Sequence, residues 1–501
     1  MKKIFLLMFA AGMMALTSCD LDINENPNYP LESTITTDLM FPAVENAVAD
    51  VVGDQMFNYA GFFAQYFEQG PTANQYNDLA ELNIDEGSDL FNRCYSLLYA
   101  GALTDIQDIM GKTDNKSDIF ACTVMRAQAF QLVVDNLSDA PYTEALQGAS
   151  GNAMPIWDDG KTVYEGVLKE LDDAEDELEG DPITMTDPLL NKNLNQWKGY
   201  ANALRLRMYM RLIDGGINAA DYTAKAKNLV ADNEFFSGDV CWNVYSNAVG
   251  QYNPWYDGFI SLSGTKNHCA AYPITSYMNL TNDPRLAYAF NKSVKNDEYD
   301  GQIPGAKTTT GDWMGISSSY NTDYVSVVNY PITTAMPIYL FTQSELQFLI
   351  AEVELRFNNN DGAAMAAYEA AIKADFESKL ADLDPTDFLS GPRIAWTGSK
   401  DEKLKKIYMQ KWVAFLMRNH MEAWSEIRRT DVPALSPSTA KQIFDDPTET
   451  YNAGDMINPA VNHINGGGLA KRVPYPSSAR TLNNNTPPAK LLSDRVFWDA
   501  K

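Results

Sequence analysis

Four windows of this chain place apolar residues at helical spacing, and their order constrains the fold more than any other feature. Met125, Ala129, Leu132, Val133 and Leu137 form the first stripe; Trp197, Ala201, Leu204, Met208 and Leu212 form the second. Leu346, Leu349, Val353 and Phe357 form the third; Leu404, Ile407, Tyr408, Trp412 and Phe415 form the fourth. Recurrence every three to four residues marks one buried face of an α-helix. Each stripe has a helical neighbour: residues 90–110 before the first, 164–178 before the second, 363–380 after the third and 421–429 after the fourth. The gaps are mostly short, which favours antiparallel hairpins.

Four such hairpins predict a mainly α fold on a tetratricopeptide-like scaffold, although no repeat shows as sequence self-similarity. The hairpins span about 88–213 and 342–430. Residues 220–340 have another character, rich in Gly, Asn, Ser, Tyr and Trp, and residues 432–501 are similar, with Gly466-Gly467-Gly468 and several prolines. These stretches are too long for linkers; they read as loops and short elements held by a scaffold, where binding residues tend to sit. Residues 41–501 form the folded body.

The N-terminus gives an address. Lys2 and Lys3 precede an apolar run from Ile4 to Leu16, too short for a membrane span of about 20 residues and right for a secretory signal. Leu16-Thr17-Ser18-Cys19 resembles a bacterial lipobox. That resemblance implies a signal peptide of residues 1–18 and an acyl or diacylglycerol lipid on Cys19. The segment 19–40 opens acidic, Asn-rich and broken by Pro27 and Pro30, an extended tether. Asp20, Asp22 and Asn24 mimic a calcium loop, but Glu25 stands where the turn needs Gly and Leu31 where a carboxylate is needed.

Charge and motifs exclude several function classes. Lys plus Arg number 39 against 66 Asp plus Glu, a net charge of −27, which repels phosphate backbones and speaks against nucleic acid as a partner. Three histidines (His268, His420, His463) leave little room for histidine chemistry, and Cys94, Cys122, Cys241 and Cys269 contain no CxxC pair, so no metal is expected. Cys94 and Cys122 lie in helical patterns and read as buried thiols; four cysteines allow three pairings if oxidised. Gly111-Lys112-Thr113 and Gly160-Lys161-Thr162 resemble phosphate-loop ends, but Ile106 and Pro155 stand where the earlier Gly belongs. Glu352 and Glu354, two apart on a helix, face different directions and read as scaffold carboxylates. Arg205, Arg207 and Arg211 read as partners of carboxylates between helices rather than a cationic groove. No catalytic residue is assigned.

What remains is aromatic residues in loops. Gln251-Tyr252-Asn253-Pro254-Trp255-Tyr256 combines flat faces with amides; so does the stretch holding Trp313, Ser317, Ser318, Ser319, Tyr320, Asn321 and Tyr324. A third cluster holds Tyr59, Phe62, Phe63, Tyr66, Gln75 and Tyr76. Sugar rings offer apolar C–H faces and polar rims, which aromatic platforms beside amides and carboxylates match. Tyr76, Tyr252, Trp255, Tyr256, Trp313, Tyr320 and Tyr324 are the candidate ligand contacts. The competing reading makes such aromatics core, and for Phe62 and Phe63, in a helical pattern, core is preferred.

The order of motifs resembles the SusD/RagB family of nutrient-binding outer-membrane lipoproteins, in its SusD-like second branch, over essentially the whole mature chain. The lipobox is followed by Asp22-Ile23-Asn24-Glu25-Asn26-Pro27-Asn28; Met125-Arg126-Ala127 leads to Ser138-Asp139-Ala140-Pro141-Tyr142-Thr143-Glu144-Ala145, with Ser138 where the family usually has Gly. Trp197 with Ala201 to Arg207, Asn282-Asp283-Pro284-Arg285-Leu286, and Ser344 to Glu352 are similar to later family blocks. So are Gln410-Lys411-Trp412, Glu422 to Thr430, Arg472 to Ser478, and Phe497-Trp498-Asp499.

The resemblance implies a SusD-like fold with an irregular ligand-binding region, a lipid anchor in the outer membrane facing outward, and no enzymatic activity. It implies a TonB-dependent β-barrel transporter as partner, over which the lipoprotein closes as a lid to deliver oligosaccharides. Peptide cargo, or a surface-anchored glycoside hydrolase, is the alternative. The motifs are read as scaffold markers, and no ligand contact is carried over.

Overall fold

The computed structural model describes residues 35–71, 73–261, 267–306 and 322–500. Two N-terminal helices, α1 (Thr37–Gly53) and α2 (Gln55–Phe63), lead into strand β1 (Phe67–Gln69). Eight longer helices follow: α3 (Lys116–Leu137), α4 (Gly160–Asp176), α5 (Leu194–Asp214), α6 (Ala219–Asp232), α7 (Gln343–Val353), α8 (Asp361–Lys379), α9 (Lys400–Phe415) and α10 (His420–Thr430). Strands β2 (Val240–Trp242), β3 (His268–Ala270) and β4 (Ile338–Phe341) lie between them, β1 pairing antiparallel with β3 and β2 with β4.

Local sequence sets the helix starts. Asn115, Asp159, Asn193, Thr342, Asn360 and Asn419 each accept a backbone N–H from the first turn of the helix that follows, and Ser399 with Glu402 closes a capping box on α9.

The helices pack as four hairpins: α3 with α4, α5 with α6, α7 with α8, and α9 with α10. The last two pairs are those expected. The first two are shifted by one helix. Residues 92–110 form three short pieces that lie mainly on α1, so α3 turns forward to α4. A two-residue ladder between Asp139–Ala140 and Asp158–Asp159 closes that long connection. Helix α6 occupies the expected start of the loop-rich region; it buries only Tyr222, Ala226 and Val230, a faint stripe in an alanine-rich segment.

Charged side chains tie the hairpins together at their centre. Arg207 of α5 grips Glu345 of α7 with two bonds of 2.8 Å, while Arg211, one turn on, meets Asp135 of α3 and Glu422 of α10. Arg429 bonds Glu352 and Glu426, and Arg356 bonds Glu352 and Asp214. Arg205 faces outward to Asp172 and Glu175. The arginines and Glu352 are thus scaffold, as expected. Arg285 likewise is buried on Asp283, Asp375 and Gln410. Cys94, Cys122 and Cys269 are buried free thiols and Cys241 a half-buried one, so no disulfide forms among the described residues. No helix among them is long and apolar enough to cross a membrane.

Candidate functional site

The β1–β3 ladder sets Phe67 opposite Ala270 and Gln69 opposite His268, bringing residues 67–77 against residues 254–268. Beneath this junction lies an aromatic floor. Trp255, wholly buried, stacks on Phe67 with ring centroids 5.5 Å apart and planes within 8°. Phe57 and His268 meet its edge or face at 5.1 Å. Its indole N–H donates to Asn58 Oδ1 (3.2 Å), which also accepts from His268 Nε2 (2.7 Å).

Burial lowers the pKa of His268 to about 3, so its imidazole is neutral. His420 is held the same way, at about 3, donating from Nδ1 to Phe57 O and accepting at Nε2 from Met417 N. Both are core groups with fixed tautomers.

Above the floor the surface is aromatic and partly open. Tyr252 and Tyr256 are half-buried and meet edge to face at 5.2 Å. Phe259 lies three residues after Tyr256 in the short helical segment Tyr256–Ser261. Phe259 reaches Tyr76 at 6.1 Å, and Tyr76 packs on His268 at 4.8 Å. Tyr76 is only 7% exposed and its hydroxyl has no hydrogen-bond partner among the described residues. Gln69 Oε1 accepts from Tyr76 N (2.6 Å), and Gln75 Oε1 from Asn267 Nδ2 (2.7 Å), which fixes this loop.

A charged group lies beside these rings. Arg93 Nη2 is 3.1 Å from Asp50 and 3.5 Å from Asp54. A Cβ on Gly258 would stand 3.7 Å from Asp54 Oδ1, so the aromatic turn runs past this carboxylate. Burial, reinforced by Asp50, raises the Asp54 pKa to about 6 against the pull of Arg93. Nothing in the spacing of Asp50, Asp54 and Arg93 marks them in the sequence; only packing of α1 and α2 against residues 92–96 joins them.

The structure sets Tyr252 against Tyr256 and brings Tyr76 to Phe259, in the segment that begins at Tyr256, but it buries Tyr76, and it corrects Trp255. Trp255 has no open face; its ring fills the space between Phe57, Phe67 and His268. Phe62 and Phe63 are core, as preferred. Tyr324 is half-buried, with the Lys295 ammonium 5.8 Å from its ring. Trp313, Tyr320 and Cys19 lie outside the described residues. No three His, Cys, Asp or Glu side chains among the described residues gather as a metal would need. Aromatic faces beside carboxylates, a guanidinium and amides suit a ligand with apolar faces and hydroxyl rims.

A family model described as "Starch-binding associating with outer membrane" matches residues 27–448. The chain belongs to the SusD-like family. Solved structures agree on the fold. A chitin-binding protein superposes with a TM-score of 0.71 at 20% identity, covering 92% of this chain and 100% of its own. A chitin-binding SusD homologue from Flavobacterium johnsoniae gives 0.69 at 21%, covering 92% and 96%. A SusD homologue from Bacteroides thetaiotaomicron gives 0.68 at 21%, covering 93% and 100%. No curated protein matches the chain.

Proposed function

We propose that this SusD-like protein is a non-catalytic cell-surface lipoprotein that captures oligosaccharides and delivers them to a TonB-dependent outer-membrane transporter, closing over it as a lid. The observation that carries the reading is the half-open Tyr252–Tyr256 pair, whose helical segment runs past Asp54 in the Asp50–Arg93–Asp54 cluster. Tyrosine rings cover the C–H faces of a sugar, while carboxylates and a guanidinium bond its hydroxyls. The family's description as starch-binding and outer-membrane-associated supports the cargo class and the location. The chitin-binding relatives support an aminosugar or glucose polymer as the first ligands to try. The Cys19 lipobox supports a lipid anchor, which leaves the body mobile at the surface while a barrel interface holds it.

The test is affinity electrophoresis and calorimetry of the full-length protein in mild detergent against starch, chitin oligosaccharides and mixed peptides. Retention by a glycan without new reducing ends is expected, together with copurification of a large β-barrel from the native membrane. Binding of peptides alone would reassign the cargo. New reducing ends, lost on changing one carboxylate, would make the protein a hydrolase.

A further inference from the structure

Two uncharged stretches of the chain meet on the surface near the first site. Residues 145–157 and 481–489 contain no Asp, Glu, Lys or Arg. Asn483 Nδ2 donates to Pro155 O at 2.8 Å and Asn485 Nδ2 to Met154 O at 2.6 Å, so the two stretches lie side by side. Large apolar side chains stand open along this seam: Met154 keeps 46% of its surface exposed, Ile156 45% and Leu482 73%. Half-buried Trp157 stacks on Tyr95, with ring planes within 2° and centroids 6.1 Å apart.

Four charged residues flank the stretches in sequence, and three of them are tied to the backbone. Glu144 accepts from Ile156 N, Asp158 accepts from Tyr142 N and Thr143 N, and Arg480 Nε donates to Tyr475 O. The fourth, Lys490, is exposed at the far end. Open Met, Ile and Leu side chains on uncharged chain, beside a Tyr–Trp stack, match the centre of a protein interface better than surface left in water. The helix Asn92–Ser96 joins the seam to the first site. Its Asn92 Oδ1 accepts from Ser478 N and its Tyr95 meets Trp157, while its Arg93 bonds Asp50.

We infer that this seam is where the protein seats on an outer-membrane β-barrel, with Met154, Ile156 and Leu482 packed against apolar side chains at the barrel mouth. The inference rests on the lid reading and adds the surface by which the lid is held. A barrel that closes over the Tyr252–Tyr256 surface as far as Arg93 comes to the seam next, because the helix Asn92–Ser96 borders both. Size argues against a second copy as the occupant. Three part-open side chains expose on the order of 300 Å², so two copies set patch on patch would bury about 600 Å², the scale of chance contacts rather than of stable dimers. A barrel meets the seam and the ligand face together. A lipid anchor in the same membrane also raises the effective concentration of the two partners, so a small apolar contact suffices.

The test uses the full-length lipoprotein in its native outer membrane, solubilised in mild detergent and captured through a C-terminal tag. The double change Met154→Glu, Leu482→Glu should carry at least fivefold less β-barrel through capture than the native protein. The melting temperature and glycan retention of the purified lipoprotein should not change. Met365→Glu, at a residue 40% exposed on α8, should carry the native amount of barrel. A photoreactive group at position 482 of the otherwise native chain should cross-link to the barrel, a readout that does not depend on how the charged variant folds. Native amounts of barrel with the double change, an equal loss with Met365→Glu, or no barrel in the position-482 product (a lipoprotein dimer included) would each overturn the assignment while the lid reading stands. Absence of any barrel from captures of the native protein would overturn both.

Discussion

Arg429 lays its guanidinium against the Glu352 carboxylate with two N–H···O bonds of 2.9 and 2.7 Å, both side chains wholly buried. Burial alone would raise the pKa of Glu352, but Arg429 and Arg356 outweigh it and hold the carboxyl at about 2. The pair joins α7 to α10 and so fixes the third hairpin against the fourth. Removing one partner of a buried pair strands the other charge, which costs about 3–5 kcal/mol. Arg429→Met should therefore lower unfolding free energy by that order in urea titration, and Glu352→Gln added to it should recover part of the loss. A loss below 1 kcal/mol would mean the network is ornamental to stability. The folded pKa lies below the unfolded value near 4.5, so this contribution is complete above pH 4.5 and vanishes as pH falls toward 2.

The histidines set a second, higher acid limit. His268 and His420 are lowered to about 3 by burial, from 6.5 unfolded. A base whose folded pKa is lowered favours folding fully above its unfolded pKa, and that stability drains as pH falls from 6.5 toward 3. At pH 5 each neutral imidazole costs roughly 2 kcal/mol relative to pH 7. The melting temperature should fall between pH 7 and 5. Proton NMR should show neither ring titrating before unfolding; a ring that titrates near 6 in the folded protein refutes the burial argument.

The scaffold was legible because its signals are local. Stripes such as Leu404, Ile407, Tyr408, Trp412 and Phe415 announce helices whatever packs on them. Hairpin phase was not legible, since α4 has helices on both sides in sequence and only the Asp139–Ala140 ladder decides which one it joins. The site was half legible. Tyr252 and Tyr256 stand out as loop aromatics, but Trp255 between them looks the same in sequence and differs only in facing Phe67. Asp50 and Asp54 stand at the end of α1, Arg93 comes from the separate segment 92–96, and they meet only in three dimensions.

Ser138 offers a test of backbone strain. It ends α3 in the left-handed region, φ +71° and ψ −27°, where an L-residue pays about 1–2 kcal/mol relative to its favoured conformations. Its Oγ offsets this by accepting from Phe497 N at 2.8 Å. Ser138→Ala keeps the strain and leaves the part-buried Phe497 N–H unmet, a cost of about 1 kcal/mol. Ser138→Gly loses the same bond but relieves the strain. In thermal unfolding the Gly variant should therefore stand about 1 kcal/mol above the Ala variant and near the native protein. Equal melting of the two variants would show that φ at 138 carries no strain.

Neighbouring aromatics should separate stability from binding. Trp255 is fully buried among Phe57, Phe67 and His268 and holds Asn58 through its N–H, so Trp255→Ala opens a cavity costing about 3–5 kcal/mol. Tyr256 is half-buried beside Tyr252, and its loss should cost about 1 kcal/mol of stability. A ring that stacks on sugar contributes about 0.5–1.5 kcal/mol to binding, so Tyr256→Ala should weaken glycan retention roughly three- to tenfold. Melting and affinity measured on both variants should cross: Trp255→Ala melts early yet binds normally at low temperature, whereas Tyr256→Ala melts normally and binds poorly. Native-like binding by Tyr256→Ala would move the glycan site off this surface, and weak binding by a still-folded Trp255→Ala would show that the floor shapes the site as well as supporting it.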